Sequence, residues 1–196
     1  EAVGATREWA RRAAVTGARE IAWPGSGVAD DATLAALASA GAHSVVLSTG
    51  AVEPPTDAVS AQVRTGQTTL EAVITDDGLE AAIDAALGPD PAAGVTALRQ
   101  AWLAETALVA LAADDETPVA QPLVAAPPYG WQPSAAVAKA LVEVWTMTPW
   151  VQPATLADLP APVQGTQVRL DSVASATPPQ LPPANVAAAT ELQRAS

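Results

Sequence analysis

The chain has 196 residues, a net charge of −12, 49% hydrophobic residues and no Cys, with six Trp but no Phe. The acidic balance argues against nucleic acid or an anionic membrane surface as partner. The missing Cys excludes disulfides, thiolate metal sites and a Cys nucleophile, and no apolar run is long enough to span a bilayer. At 4% aromatic residues the core must be built from Ala, Val and Leu, so each Trp needs its own explanation.

In chain order, Thr6 to Val15 reads as a helix, with Trp9 and Ala13 on one face and Arg7, Arg11 and Arg12 mostly on another. Ile21-Ala22-Trp23 is a short strand cut off by Pro24, which cannot continue a ladder. The small-residue loop Gly25-Ser26-Gly27 follows, and then Asp30 or Asp31 caps a helix whose stripe is Leu34, Leu37 and Ala38. Gly41 ends that helix as a left-handed cap. Val45-Val46-Leu47-Ser48 is a continuous apolar run, the pattern of a strand covered on both faces. This strand–loop–helix–strand unit is the building block of a parallel α/β sheet or barrel, and its rim at the strand C-termini is where ligand chemistry is built.

Thr49 to Ala58 is a polar, Pro-rich loop. Val59–Arg64 and Thr69–Ile74 read as two strands around Gly66-Gln67, and Asp77 as the cap of a helix carrying Leu79, Ile83 and Leu87. Asp90-Pro91 opens the longest helix, with Leu98, Trp102, Leu103, Leu108 and Leu111 as its apolar face. Val119 to Ala126 reads as a further buried strand closed by Pro127-Pro128, and Pro133 begins a helix carrying Val137, Leu141, Val144 and Trp145. A short capped turn spans Thr155 to Leu159. Beyond Pro160 the composition turns Pro-rich, with a strand at Gln167–Leu170 and a last helix at Asn185–Arg194. The expected organisation is therefore an α/β barrel-like domain over residues 1–160 and a Pro-rich extension over 161–196. The fold class is α/β with a mainly parallel sheet of Ile21–Trp23, Val45–Ser48, Ala72–Thr75 and Leu123–Ala126, a partial or degenerate barrel.

The order and spacing of several short motifs carry a resemblance. They are Trp23-Pro24 with Asp30, Thr33-Leu34 and Leu37; Gly41 with Val45 to Ser48; Asp76 with Gly78-Leu79; Ala126-Pro127-Pro128 with Trp131; and Pro149-Trp150 with Thr155 to Leu159. Over Glu20 to Leu159 the chain resembles an uncharacterised family of secreted, membrane-anchored proteins of high-GC Gram-positive bacteria, itself distantly similar to the barrels of glycoside hydrolase family 57 and the polysaccharide deacetylases. The resemblance implies an extracytoplasmic, cell-surface location and a parent protein with a membrane anchor and a link to cell-envelope assembly. It brings no established activity. Where family 57 has Glu after Trp-Pro, this chain has Gly25. Deacetylases hold their metal with an Asp and two His, and here the one His, His43, falls at a helix–strand junction away from the expected rim.

The rim carboxylates are Asp30, Asp31, Glu53, Asp57, Asp76 and Asp77. Helix capping and solvated loops account for most of them; Asp76, at a strand end, is the one catalytic candidate. Trp23, Tyr129 and Trp131 follow strands on that rim, where aromatic faces can stack on sugar rings or simply pack loops over the sheet end. Ser48 and Thr49 are further ligand-binding candidates, with no His placed to activate Ser48. Trp102 and Trp145 fall on helix stripes as core. No metal and no cofactor are expected, since a single His and no Cys leave only carboxylates. The expectation is a non-catalytic envelope domain that binds cell-wall glycan or an envelope protein. The alternative is a glycosidase-like enzyme whose carboxylates lie partly outside this sequence, because glycoside hydrolysis needs two carboxylates across one bond.

Overall fold

A computed structural model describes residues 21–54, 58–87, 90–112, 121–128, 130–162 and 167–170. The expected helices at Thr6–Val15 and Asn185–Arg194, and the residues Asp57 and Tyr129, lie outside them. The first unit folds as its sequence dictates. Strand β1 (Ile21–Ala22) stops before Pro24, helix α1 (Asp31–Ser39) follows, and β2 (Ser44–Ser48) pairs parallel to β1. Of the two Asp candidates, Asp30 is the cap, its Oδ1 accepting the Thr33 N–H at 2.7 Å. At the other end Gly41, at φ 93°, donates to the Ala38 carbonyl while Ala42 donates to Leu37. These two bonds satisfy the last helical carbonyls in the Schellman arrangement that favours Gly at this position.

A two-residue strand β3 (Val52–Glu53) leads to the hairpin of β4 (Ser60–Thr65) and β5 (Thr68–Thr75), joined by Gly66-Gln67. Gly66 takes φ 57° in that tight loop, where a residue free of Cβ strain is wanted. The sixth strand, β6 (Gln167–Leu170), runs parallel to β4 and antiparallel to β3. The order β1-β2-β5-β4-β6-β3 makes one mixed sheet in which three of the five pairings are parallel. Among the described residues the sheet is open and does not close into a barrel. One expected member is missing. Residues 121–128 form no strand, and the physical reason is that Pro122, Pro127 and Pro128 bracket the four apolar residues and deny the run a ladder donor at each end. Their link to the sheet end is the Asp76 N–H, which reaches the Val124 carbonyl at 2.7 Å.

Two apolar cores result. One face of the sheet packs Val45, Leu47, Ala61, Val63, Leu70, Ala72 and Ile74 against α1, where Leu34 is fully buried. The other core joins helices α2 (Asp77–Ala85), α3 (Pro91–Ala112) and α4 (Ala135–Met147) through Leu79, Ile83, Leu98, Trp102, Val137, Leu141 and Val144. Thr106 locks this layer: its hydroxyl donates to the Trp102 carbonyl at 2.8 Å and accepts the Trp150 indole N–H at 3.1 Å. The buried stripe of α3 is thus Leu98, Trp102 and Thr106, four residues apart. Leu103, Leu108 and Leu111, expected in the apolar face, are exposed. A helix apolar nearly all round carries no clear period to choose between faces. Trp145 is likewise only half-buried, tilted against Trp102 with ring centroids 5.8 Å apart. Among the described residues no helix is long and apolar enough to cross a membrane.

Candidate functional site

Strands β1, β2 and β5 run parallel, so their C-terminal ends share one rim. His43, which precedes β2, lies exposed at the opposite end. On the rim is a cleft of about 370 Å³, lined by Trp23, Ser26, Ser48, Ala126 and Pro127-Pro128 together with Asp77, Glu80, Ala81 and Asp84. Each element contributes for a local reason. Pro24 ends β1 and leaves Trp23 beyond the ladder, 48% exposed. The turn Gly25–Gly27 then folds back onto β2, so closely that a Cβ on Gly27 would lie 2.6 Å from the Ser48 backbone N. Glycine is required there both by that approach and by its φ of 65°.

The opposite wall is α2. Its cap is Asp76, whose Oδ1 accepts the Leu79 N–H at 2.8 Å, and not the Asp77 expected from the sequence. A residue in β conformation just before the first helical turn aims its carboxylate at the free N–H groups, and the strand end places Asp76 there. Asp77 instead turns across the rim. Its Oδ1 accepts the Ser48 hydroxyl at 2.7 Å and its Oδ2 the Gly50 N–H at 2.9 Å. From Asp77, the steps to Glu80 and Asp84 are three and seven residues, which puts all three carboxylates on one helix face. Glu80 is half-buried, and that desolvation, with the charges of Asp77 and Asp76 adding to it, raises its pKa above the usual carboxylate value. Contacts with the Thr75 hydroxyl and the Ala126 backbone oppose the rise without cancelling it. The lining contains three acidic residues and no Lys, Arg or His.

The structure therefore brings together Trp23 and Ser48 among the residues singled out in the sequence. Thr49 lies beside them but spends its hydroxyl on the Thr75 carbonyl. Trp131 is not on the cleft wall: like Leu123 and Ala125 it packs against the helical core, its indole nitrogen buried without a partner among the described residues. Tyr129 lies outside the described residues. Asp76 serves as a helix cap. Among the described residues no group of three or more His, Asp or Glu side chains is arranged to hold a metal ion. Sequence reasoning missed Ser26, Glu80 and Asp84. The signal for the last two was the acidic i, i+3, i+7 spacing from Asp77 on a helix starting at the rim. For Ser26 the signal was a lone hydroxyl between two glycines.

Compared with known proteins, the chain matches no family model, no curated protein and no solved structure.

Proposed function

We propose that this chain is a non-catalytic, extracytoplasmic domain of a cell-envelope protein, and that the cleft at the strand rim binds a glycan of the cell wall. The open sheet is read as part of a degenerate sugar-enzyme barrel that keeps the ligand face and has lost the chemistry. One observation carries the reading: Trp23, half exposed, stands in a rim cleft with hydroxyl and carboxylate groups facing it. An aromatic face covers the apolar side of a sugar ring, while Ser48, Glu80 and Asp84 offer acceptors for its hydroxyls. The carboxylates support binding over hydrolysis. Asp77 and Glu80 project from the same helix, three residues apart, and both Asp77 oxygens are already engaged. A glycosidase needs its two carboxyl groups on either side of the scissile bond. The acidic lining favours neutral or amino-bearing sugars over uronic or sialic acids.

The test is titration of the chain with cellotetraose, chitotetraose and a chitosan tetramer, followed by intrinsic Trp fluorescence and calorimetry. Millimolar or tighter binding of at least one, weakened at least tenfold by Trp23→Ala, is the expected result. Silence across all three at millimolar concentration, or a Trp23→Ala variant that binds like wild type, overturns the reading; capture of an envelope protein by the same rim would then replace it.

A further inference from the structure

Ser26 is the one non-glycine residue with positive φ among the described residues, at φ 54° and ψ 27°. That is the left-handed region, where an L side chain crowds its own carbonyl and glycine does not. Both neighbours, Gly25 and Gly27, are glycine, and Gly27 occupies the same region at φ 65°. The turn is thus glycine-rich on each side of the one position that carries a side chain in the unfavourable conformation. Packing does not explain that side chain: Ser26 is exposed, and it belongs to the cleft lining with Trp23, Ser48 and Glu80. Nor does an internal hydrogen bond of that side chain, since the hydroxyl has no partner among the described residues. The left-handed angles at Ser26 and Gly27 belong to a turn closed by the Val28 N–H on the Gly25 carbonyl at 3.2 Å, a turn that glycine would make at less cost, so the side chain at position 26 is what the fold leaves without an internal role.

We infer that Ser26 is a ligand-contact residue of the cleft, its hydroxyl hydrogen-bonding a sugar hydroxyl beside the Trp23 ring. This rests on the saccharide-binding reading and assigns within it a contact that neither the helix wall nor the β2 end supplies. A serine hydroxyl both donates and accepts, which the carboxylate wall cannot do, so it complements sugar hydroxyls that must themselves donate to Glu80 or Asp84. The backbone that carries it is packed closely on β2, Gly27 lying against the Ser48 main chain.

Ser26→Gly tests this because strain and contact move in opposite directions. The variant removes the left-handed side chain and is expected to melt at the wild-type temperature or up to roughly 4 °C higher. At the same time it should bind the saccharide that wild type prefers in the tetrasaccharide titration roughly 3- to 10-fold more weakly, the scale of one lost hydrogen bond. Wild-type binding with an unaffected Ser26→Gly variant refutes the contact and leaves the saccharide reading standing. A melting temperature lowered by several degrees makes the hydroxyl structural and also refutes it. Absence of saccharide binding by wild type removes both.

Discussion

Replacing Gly27 by Ala should damage the fold far more than a surface glycine substitution ordinarily does, and the geometry sets the size. Two separate costs apply. Gly27 has φ 65°, where a Cβ costs about 1–2 kcal/mol. The new Cβ would also sit 2.6 Å from the Ser48 backbone N and 3.2 Å from the Leu47 carbonyl carbon, atoms of a central strand that cannot swing aside. Forcing a methyl into such a packed place costs about 1–3 kcal/mol. The sum is about 3 kcal/mol, or a melting temperature lower by roughly 6–12 °C for a chain of this size. Gly66→Ala is the matched control. Gly66 has φ 57°, and its Cβ would meet nothing within 4 Å, so it bears the conformational cost alone. Both variants gain equally from a stiffer unfolded chain, which cancels in the comparison. Urea and thermal unfolding of the pair measure the difference, expected at about 1–3 kcal/mol against Gly27→Ala. Equal losses would show that the turn does not press on β2, and the bracing of the cleft by Gly27 would be abandoned.

Asp76→Ala removes the α2 cap and should cost about 1 kcal/mol of stability, whereas Asp77→Ala should leave the cap intact and loosen the Ser48 end of the cleft, as urea unfolding and saccharide titration would separate. Glu80 binds its proton more tightly folded than unfolded, so stability falls as pH rises from the ordinary Glu range through its raised folded pKa. Glu80→Gln should therefore stabilise the chain at pH 7 and be closer to neutral near pH 4; a pH-independent effect would contradict the burial argument. Asp30 and Asp158 shift the other way through hydrogen bonds from Thr33 and Thr155, so their contribution is present above the ordinary Asp value and lost as pH falls below it. Trp131→Ala should lower stability by about 2–4 kcal/mol as a helical-core truncation, while Trp23→Ala should leave unfolding almost unchanged.

How much of this was legible in the sequence depended on whether the local signal was also the deciding one. The β1–α1–β2 unit was readable because each boundary has its own chemistry: Pro24 stops a ladder, Asp30 caps, Gly41 accepts a left-handed turn. The hairpin around Gly66-Gln67 and the strand at Gln167–Leu170 were readable from alternation and turn residues. The segment at 121–128 misled because its apolar run has strand composition, while its prolines deny it the donors a strand needs. The three-helix layer misled on faces, since Ala- and Leu-rich helices such as α3 are apolar in every direction, and contact with α2 and α4 decides which stripe is buried.

The cleft shows the same division more sharply. Trp23 and Ser48 were found because strand ends are visible in sequence, and a parallel pair must bring such ends together. Asp77 was misassigned by one residue, and that residue changes its role. A cap holds its own helix, whereas the next carboxylate, rotated by about 100° at 3.6 residues per turn, is free to cross to another strand. Asp77 does so, joining Ser48 and Gly50 and fixing the α2 wall against the β2 end. Trp131 illustrates the converse: following the right segment did not place it on the rim, because its ring packs against the buried cluster of the helical core. The strand topology thus selects the rim, and single-residue rotations at helix starts and turns select which side chains reach it. Ser26 is the extreme case, since its place in the cleft goes with a left-handed turn, at φ 54°, whose one sequence signal is a hydroxyl between two glycines.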